Sequence, residues 1–321
     1  MVALSTVVLV SLLAFVTDFG HAYTNKQRMQ VGVDAAALAV AQKIALEAPG
    51  TSTCAAMTAM EAEMRPVAEA YLADNAPEST MDEFSVSCAS QGLVVEVSAT
   101  QDSPVFFGQV MGVDDIDLAQ AAKSVVGPAG SVIGLRPFAI CQADADKLKA
   151  APDTVHTISF DNADLGCGYA PGNWGVLDFD GGSNPTGEVA EWIQNGYSGS
   201  ISAAPPNFIP GNPGAPNPGA LDSEMDSILG EEIIVPVFDR LTGTGANSQF
   251  RIVGFIGIET CGWKFNNRDG RAPCYVAPSP TPDNYLQVRY KRFIPIGELN
   301  LSCPLGTAAC DNGLRLFALA E

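Results

Sequence analysis

From Met1 to Ala48 no proline interrupts the chain, and Gly20 and Gly32 are the only weak points in a continuous helical pattern. One helix over this stretch is about 70 Å long at roughly 1.5 Å per residue. Its two parts differ. Val2–Phe19 (VALSTVVLVSLLAFVTDF) is apolar almost throughout, which suits lipid. Beyond it the pattern turns amphipathic: Met29, Val33, Ala37, Val40 and Ile44 run down one side, while Lys26, Gln27, Gln30, Asp34 and Lys43 lie largely elsewhere. The expected arrangement is a lipid-embedded anchor that continues directly as the spine of a folded body.

Val2–Phe19 is near the lower length limit for a membrane span, and two other readings compete with it. A cleaved signal peptide is one, since Gly20-His21-Ala22 offers small residues where a signal peptidase reads. No basic stretch opens the segment, however, and Asp18 interrupts it. A buried core helix is the other, but it makes poor use of so uniform an apolar run. A retained span is therefore expected. Lys26 and Arg28 follow this span and nothing basic precedes it, so the charge rule taken literally places the C-terminus inside. A basic segment upstream of Met1 is the expected resolution.

Composition narrows the partners. The net charge is -19, and both halves of the chain are acidic. Phosphate binding is driven by Lys and Arg, so nucleic acid is not an expected partner. A polybasic grip on anionic lipid is not expected either. Between Lys149 and Arg240 there is no Lys or Arg, which reads as a solvated acidic face. The eight cysteines form no C-x-x-C pair, and only His21 and His156 could join them in a metal site. Dispersed, even-numbered cysteines after an apolar N-terminus point to disulfides outside the cytoplasm. Eight cysteines admit many connectivities. Short loops favour sequential pairing: Cys54–Cys88, Cys141–Cys167, Cys261–Cys274 and Cys303–Cys310.

Along the chain, Pro49-Gly50 ends the spine and a second helix is expected over about 54–74, bent or restarted at Pro66. Two alternating stretches, 83–90 and 93–100, read as a hairpin turning at Gln91-Gly92. A short helix near 104–111 and a third strand over 116–126 come next. Gly127-Pro128-Ala129-Gly130 marks a boundary. Beyond it the strands expected are 135–140, 154–160, 174–179, 232–238, 250–258, 286–296 and 314–319, with a helix over 185–195 stopped by Gly196. Ala203–Gly219 is a proline-rich loop. Arg289–Arg292 (RYKR) reads as a set of cross-strand partners for acidic residues. The fold class is thus α+β. A transmembrane and spine helix packs on a small antiparallel, pilin-like sheet, followed by a β-rich disulfide-stapled domain. The divisions are 1–19 for the anchor, 20–128 for the pilin-like part and 129–321 for the β-rich domain.

The N-terminal residues also carry a resemblance. VTDFGHAYTNKQRMQ (Val16–Gln30) followed by VDAAALAVAQ (Val33–Gln42) resembles the N-terminal segment of TadE/TadG-like proteins of the bacterial tight-adherence (Flp) pilus assembly system. The family pattern is an apolar helix, an Asp followed closely by Gly, an aromatic, a basic-and-Gln stretch and a D-A-A-A-L-A core. Here these are Asp18, Gly20, Tyr23, Lys26 to Gln30, and Asp34 to Ala39. The region from Gly108 to Gly127 is similar to the region beyond the anchor in such proteins. More loosely, Gly172–Gly182, Ile233–Asp239 and Phe250–Phe265 look like C-terminal regions of TadG-related members. The resemblance implies a membrane-anchored, minor-pilin-like or pilus-associated component of a bacterial cell surface. Its partners would be other pilin-like subunits, met through the helix at Asp18, Gly20, Tyr23 and Asp34. Some TadG proteins carry a von Willebrand type A domain, but its D-x-S-x-S motif is missing here.

Enzyme chemistry finds no footing. His156 lies mid-strand without a G-x-S-x-G elbow, and no phosphate-binding glycine motif occurs. No small-molecule substrate is indicated and no cofactor is expected. One exception is calcium at DFDGGSN, where Asp178, Asp180 and Asn184 offer hard oxygen ligands. In a strand the two aspartates would share a face about 7 Å apart. Asp18, a carboxylate at the end of a span, has two readings: it marks the water boundary, or it pairs with a neighbouring subunit's helix. A secreted or surface-displayed binding module for a glycan, or calcium-dependent adhesion, is the alternative to a pilus component.

Overall fold

The expected spine forms as one helix, α1 (Val2–Glu47), followed by α2 (Cys54–Thr58) and α3 (Glu61–Asn75). The structure is a computed structural model describing residues 2–90, 92–160, 175–182, 186–204, 207–212, 218–265, 267–300, 302–307 and 310–320. For 2–12, 110–111, 218–220 and 246 it describes the backbone alone. Thr53 starts α2 by accepting the Ala56 amide. The break between α2 and α3 falls at Ala59-Met60, and Pro66 is carried inside α3 rather than dividing it. The strand β1 (Thr80–Ala89) turns into β2 (Gly92–Pro104), with Ala89 opposite Gly92. Glycine is needed there: φ is +127°, and a Cβ would lie 2.4 Å from the Val126 carbonyl oxygen.

The longest strand of the first sheet, β3 (Asp115–Val132), pairs antiparallel with β2 along the whole of β2 except its first residue. The chain then passes through β4 (Ile140–Cys141), α4 (Gln142–Ala150), β5 (His156–Ser159), α5 (Thr186–Asn195), β6 (Ile201–Ser202), β7 (Phe208–Pro210) and α6 (Pro218–Ser227). It ends with β8 (Glu232–Thr242), β9 (Gln249–Phe265), β10 (Arg268–Arg271), β11 (Tyr285–Lys291), β12 (Gly297–Leu299) and β13 (Arg315–Ala320). Two sheets result. One is ordered β1-β2-β3-β12, with β6 and β13 also on β3; the other is β4-β8-β9-β11-β5, with β7 and β10 on β9. All pairings within them are antiparallel except β4 with β8. The fold is α+β, as the pattern of elements implies.

The division expected after residue 128 is not where the structure divides. β3 runs straight through it, and β6, β12 and β13 from the later chain complete the same sheet. Gly127-Pro128-Ala129-Gly130 looks like a break because proline cannot donate. The partners remove the difficulty: the Pro128 carbonyl accepts the Asn300 amide, and the Ala129 amide donates to Leu314. Other differences are local. The strand expected over 135–140 shrinks to β4, with Leu135 and Phe138 making single bridges to Ile234 and Val176. α4 and α6 form where the sequence pattern predicts no helix.

The buried apolar side chains form two cores, the second of which also takes in Ala129 and Val132 of β3 and Leu316 of β13. The first joins Met29, Val33, Val40 and Ile44 of α1 to Met64 and Leu72 of α3 and to Phe84, Val95 and Val97 of the sheet. The second gathers Phe138, Trp192, Val235, Phe250, Phe255 and Leu286 around the β8–β9 pair. Burying side chains of this size contributes roughly 1.5–3 kcal/mol each. The disulfides Cys54–Cys88, Cys261–Cys274 and Cys303–Cys310 form as paired in sequence. Cys141 is also disulfide-bonded; Cys167 lies outside the described residues. The Cys54–Cys88 bond ties α2 to β1, as a hairpin lying on the helices requires.

The basic stretch at the end of β11 finds acidic partners. Arg289 donates twice to Glu259, and Lys291 bridges Glu259 and Glu232. Burial alone would raise the Glu259 pKa, but these cations prevail and hold it below its ordinary value of 4.5. A depressed carboxylate stabilises the fold above its unfolded pKa, and that contribution is lost as pH falls through the folded value. Stability measured by urea titration is therefore expected to decline below about pH 4.5, and Glu259→Gln is expected to flatten part of that decline.

Candidate assembly site on the N-terminal helix

One face of α1 is buried against its own chain at every third or fourth residue: Asp18, Ala22, Asn25, Met29, Val33, Ala36, Val40 and Ile44. This stripe continues the apolar stripe of the second part of the helix one turn after another toward the N-terminus. Gly32 sets the distance to α3, since a Cβ there would lie 2.8 Å from that of Ala76. Polar contacts fix the register: Asn25 Nδ2 donates to Ser103 Oγ at 3.0 Å, and Ser124 Oγ to the Ala37 carbonyl at 2.8 Å. Gln120 donates to Gln30, which donates to Asp34.

Asp18 ends the buried stripe. Its Oδ1 accepts the amides of Phe106 (2.7 Å) and Phe107 (3.2 Å), and its Oδ2 those of Phe107 (3.0 Å) and Gly108 (2.8 Å). These amides open a 3-10 turn, Gly108–Met111, at the tip between β2 and β3. The donors are the free N–H groups that every helical turn leaves at its start, and a carboxylate is their natural acceptor. The same tip is closed by Val105 N to Asp114 O and Val113 N to Gly108 O. So the carboxylate is directed to its own chain, toward partners 88 or more residues away that no local pattern discloses.

At the other end of α1 the carbonyls left without helical partners are answered by cations. Arg292 Nη1 donates to Glu47 O at 2.6 Å. Arg315 Nη1 reaches Ala48 O and Pro49 O, both at 3.2 Å, and its Nη2 reaches Gly50 O and Ser52 O. Positive charge is favoured at a helix C-terminus. Arg315 is itself buried and paired with buried Asp311, whose carboxylate accepts the amides of Gly306 and Gly313. Lys149 caps the Asp311 carbonyl. Tyr290 closes the junction between Gly50 and Gly313, where neither residue has room for a Cβ, and its hydroxyl donates to Gly313 O. Burial pushes the pKa of that hydroxyl up to about 12, so it remains a donor.

The residues expected to meet other subunits divide. Gly20 and Tyr23 are exposed, and nothing lies within 4 Å of a Cβ placed on Gly20. Asp34 is half-buried and accepts from Gln30; Asp18 is buried at the hairpin tip. Asn25, Ser103, Arg292 and Arg315 join the site without a motif to mark them, although the three-and-four spacing of Asp18, Ala22, Asn25 and Met29 could have found the first.

At the expected calcium loop, Asp178 and Asp180 lie in a turn and not a strand. Oδ1 of Asp178 accepts from Gly181, and Oδ1 of Asp180 from Gly182. Glu188 joins them, its carboxyl held high by partial burial and then by Asp180 and Asp178. Asn184 lies outside the described residues. Glu259, Cys261 and Cys274 also come close together, but the two cysteines are bonded to each other and Glu259 is paired with cations.

The two clamps are separable by mutation. Arg315→Met leaves Asp311 buried without its cation and is expected to cost about 3–5 kcal/mol in urea unfolding, with Asp311→Asn recovering part. Asp18→Ala frees three amides and is expected to lower the urea midpoint without abolishing folding. Its signature is faster hydrogen exchange at Phe106, Phe107 and Gly108 while the Arg315 junction keeps its protection.

Residues 1–43 match the family model described as "Putative Flp pilus-assembly TadE/G-like". Neither among curated proteins nor among solved structures is there a match to this chain. By length and composition Leu13–Glu47 is apolar and long enough to cross a membrane, and half of its most apolar stretch is buried in the protein. One apolar N-terminal helix and a Tad-type match together fit a membrane-anchored protein with a pilus-associated role. Over residues 1–43 the helix gripped at Asp18 is therefore similar to the TadE/G-like family model.

Proposed function

We propose that this chain is a structural component of a tight-adherence pilus or a related secretion system, anchored by the N-terminal part of α1 with the two sheets outside the cell. The observation that carries the proposal is the coincidence of the matched segment with a helix that is half occupied. One side of α1 is spent on its own chain. N-terminal to Asp18, Leu13, Phe15 and Val16 are exposed around the helix, and beyond it Phe19 and Tyr23 are exposed beside Gly20, an apolar surface that lipid or the helices of other pilin-like subunits can cover. The mechanism is helix association without catalysis: the anchor packs with other helices while the disulfide-stapled sheets are displayed. Oxidised cysteines support the extracellular side.

The contacts of Asp18 favour retention of the anchor. Cleavage after Ala22 would discard Asp18 and leave the Phe106–Gly108 amides without their acceptor. N-terminal sequencing of the protein from cells is expected to find residues before Ala22 intact, whereas a start at Tyr23 would favour a secreted binding module instead. Gly20→Leu fills open space and is expected to leave stability within about 0.5 kcal/mol. If helices meet at this face, it reduces co-purification with pilus subunits at least several-fold; unchanged co-purification rejects this face as the contact.

A further inference from the structure

The tip held by Asp18 presents two phenylalanines to the outside. Phe106 is 60% exposed and Phe107 is 47% exposed, while the neighbouring Val105 is 3% exposed and anchors the loop inward. The loop is not free to fold these rings away. Its amides are bound to Asp18, and its neck is closed by Val105 to Asp114 and Val113 to Gly108. Two large rings fixed in water are unfavourable, so their exposure calls for a covering phase.

The position of the tip on α1 says which phase. The Phe106 ring meets His21 edge-on at 5.4 Å, one turn beyond Asp18, and Phe15 and Phe19 stack at 5.9 Å on the helix. Leu13, Phe15, Val16 and Phe19, each more than 60% exposed, belong to the apolar run proposed as the anchor. The hairpin tip therefore sits alongside the end of that run. Aromatic rings gather at this level of a membrane, between acyl chains and headgroups. From Gln101 to Ala122 there is no Lys or Arg, while Asp102, Asp114, Asp115 and Asp117 are present. Attraction to anionic headgroups is thereby removed as the driving force, which leaves burial of the rings.

We propose that Phe106 and Phe107 form a second membrane contact, a wedge inserted into the lipid interface beside the α1 anchor. This inference rests on the anchored reading above. With helix and wedge both engaged, the protein has two points of attachment, and the hairpin fixes its rotation about the helix axis.

Full-length protein carrying Phe106→Trp, Phe107→Trp or Phe15→Trp tests this in phosphatidylcholine vesicles brominated near the headgroup end or near the methyl end of the acyl chains. Wild type, with its three native tryptophans, supplies the background. Unchanged exchange protection at Phe106–Gly108 confirms the loop. The expected result is blue-shifted emission from both loop tryptophans, quenched more by the shallow bromines than by the deep ones, with Phe15→Trp quenched as well. If Phe15→Trp is quenched while the loop tryptophans match the background and stay open to aqueous acrylamide, the wedge is refuted and the anchor stands. Loop tryptophans shielded from bromine and acrylamide alike would mean that a second copy of the protein covers them, which also refutes the wedge. If Phe15→Trp itself escapes bromine, the anchored reading falls and takes the wedge with it.

Discussion

Where α1 ends, the carbonyls of Ala48, Pro49, Gly50 and Ser52 converge on the guanidinium of Arg315. These carbonyls lie just past Glu47, where the chain leaves the helix, and those of Ala48 and Gly50 belong to buried residues. Arg315 satisfies them from β13, at the far end of the sequence, and Asp311 balances its charge out of solvent. The same residue begins the strand that pairs with β3. One side chain thus ties the helix terminus, the first sheet and the approach to the second into a common junction. Removing a buried charge partner is far more costly than removing a surface one, so the arrangement of the elements depends on this contact.

Asp18 does the corresponding work near the other end. A carboxylate taken out of water is unfavourable unless its oxygens are occupied, and here the amides of Phe106, Phe107 and Gly108 occupy them. The helix is consequently held at both limits of its packed region, with Asn25–Ser103 and Ser124–Ala37 between them. Val16, Phe19 and Tyr23 on the same helix stay exposed. Gly20 shows the difference well: among the described residues nothing crowds its Cβ position, whereas Gly32 has Ala76 against it.

The parts of the fold legible in sequence are those governed by neighbours along the chain. Helical periodicity disclosed α1, and alternation with a glycine at the turn disclosed the β1–β2 hairpin. Short loops brought Cys54 to Cys88, Cys261 to Cys274 and Cys303 to Cys310. The illegible parts depend on distant segments. Gly127-Pro128-Ala129-Gly130 reads as a boundary until β13 and Asn300 arrive beside it. Asp178 and Asp180 read as strand residues on one face until the backbone turns back on their own carboxylates.

By itself the sequence determined that a long helix, apolar first and amphipathic after, leads into a disulfide-stapled body, and that its N-terminal residues resemble the TadE/G type. Periodicity and composition are local quantities, so they survive without a fold. Periodicity also disclosed the face of that helix that packs on its own chain; the tertiary structure alone decided what Asp18 holds, what Arg315 closes, and that β13 belongs to the first sheet. Those outcomes are hydrogen-bond pairings between groups 88 and 267 residues apart, and no spacing along the chain encodes them.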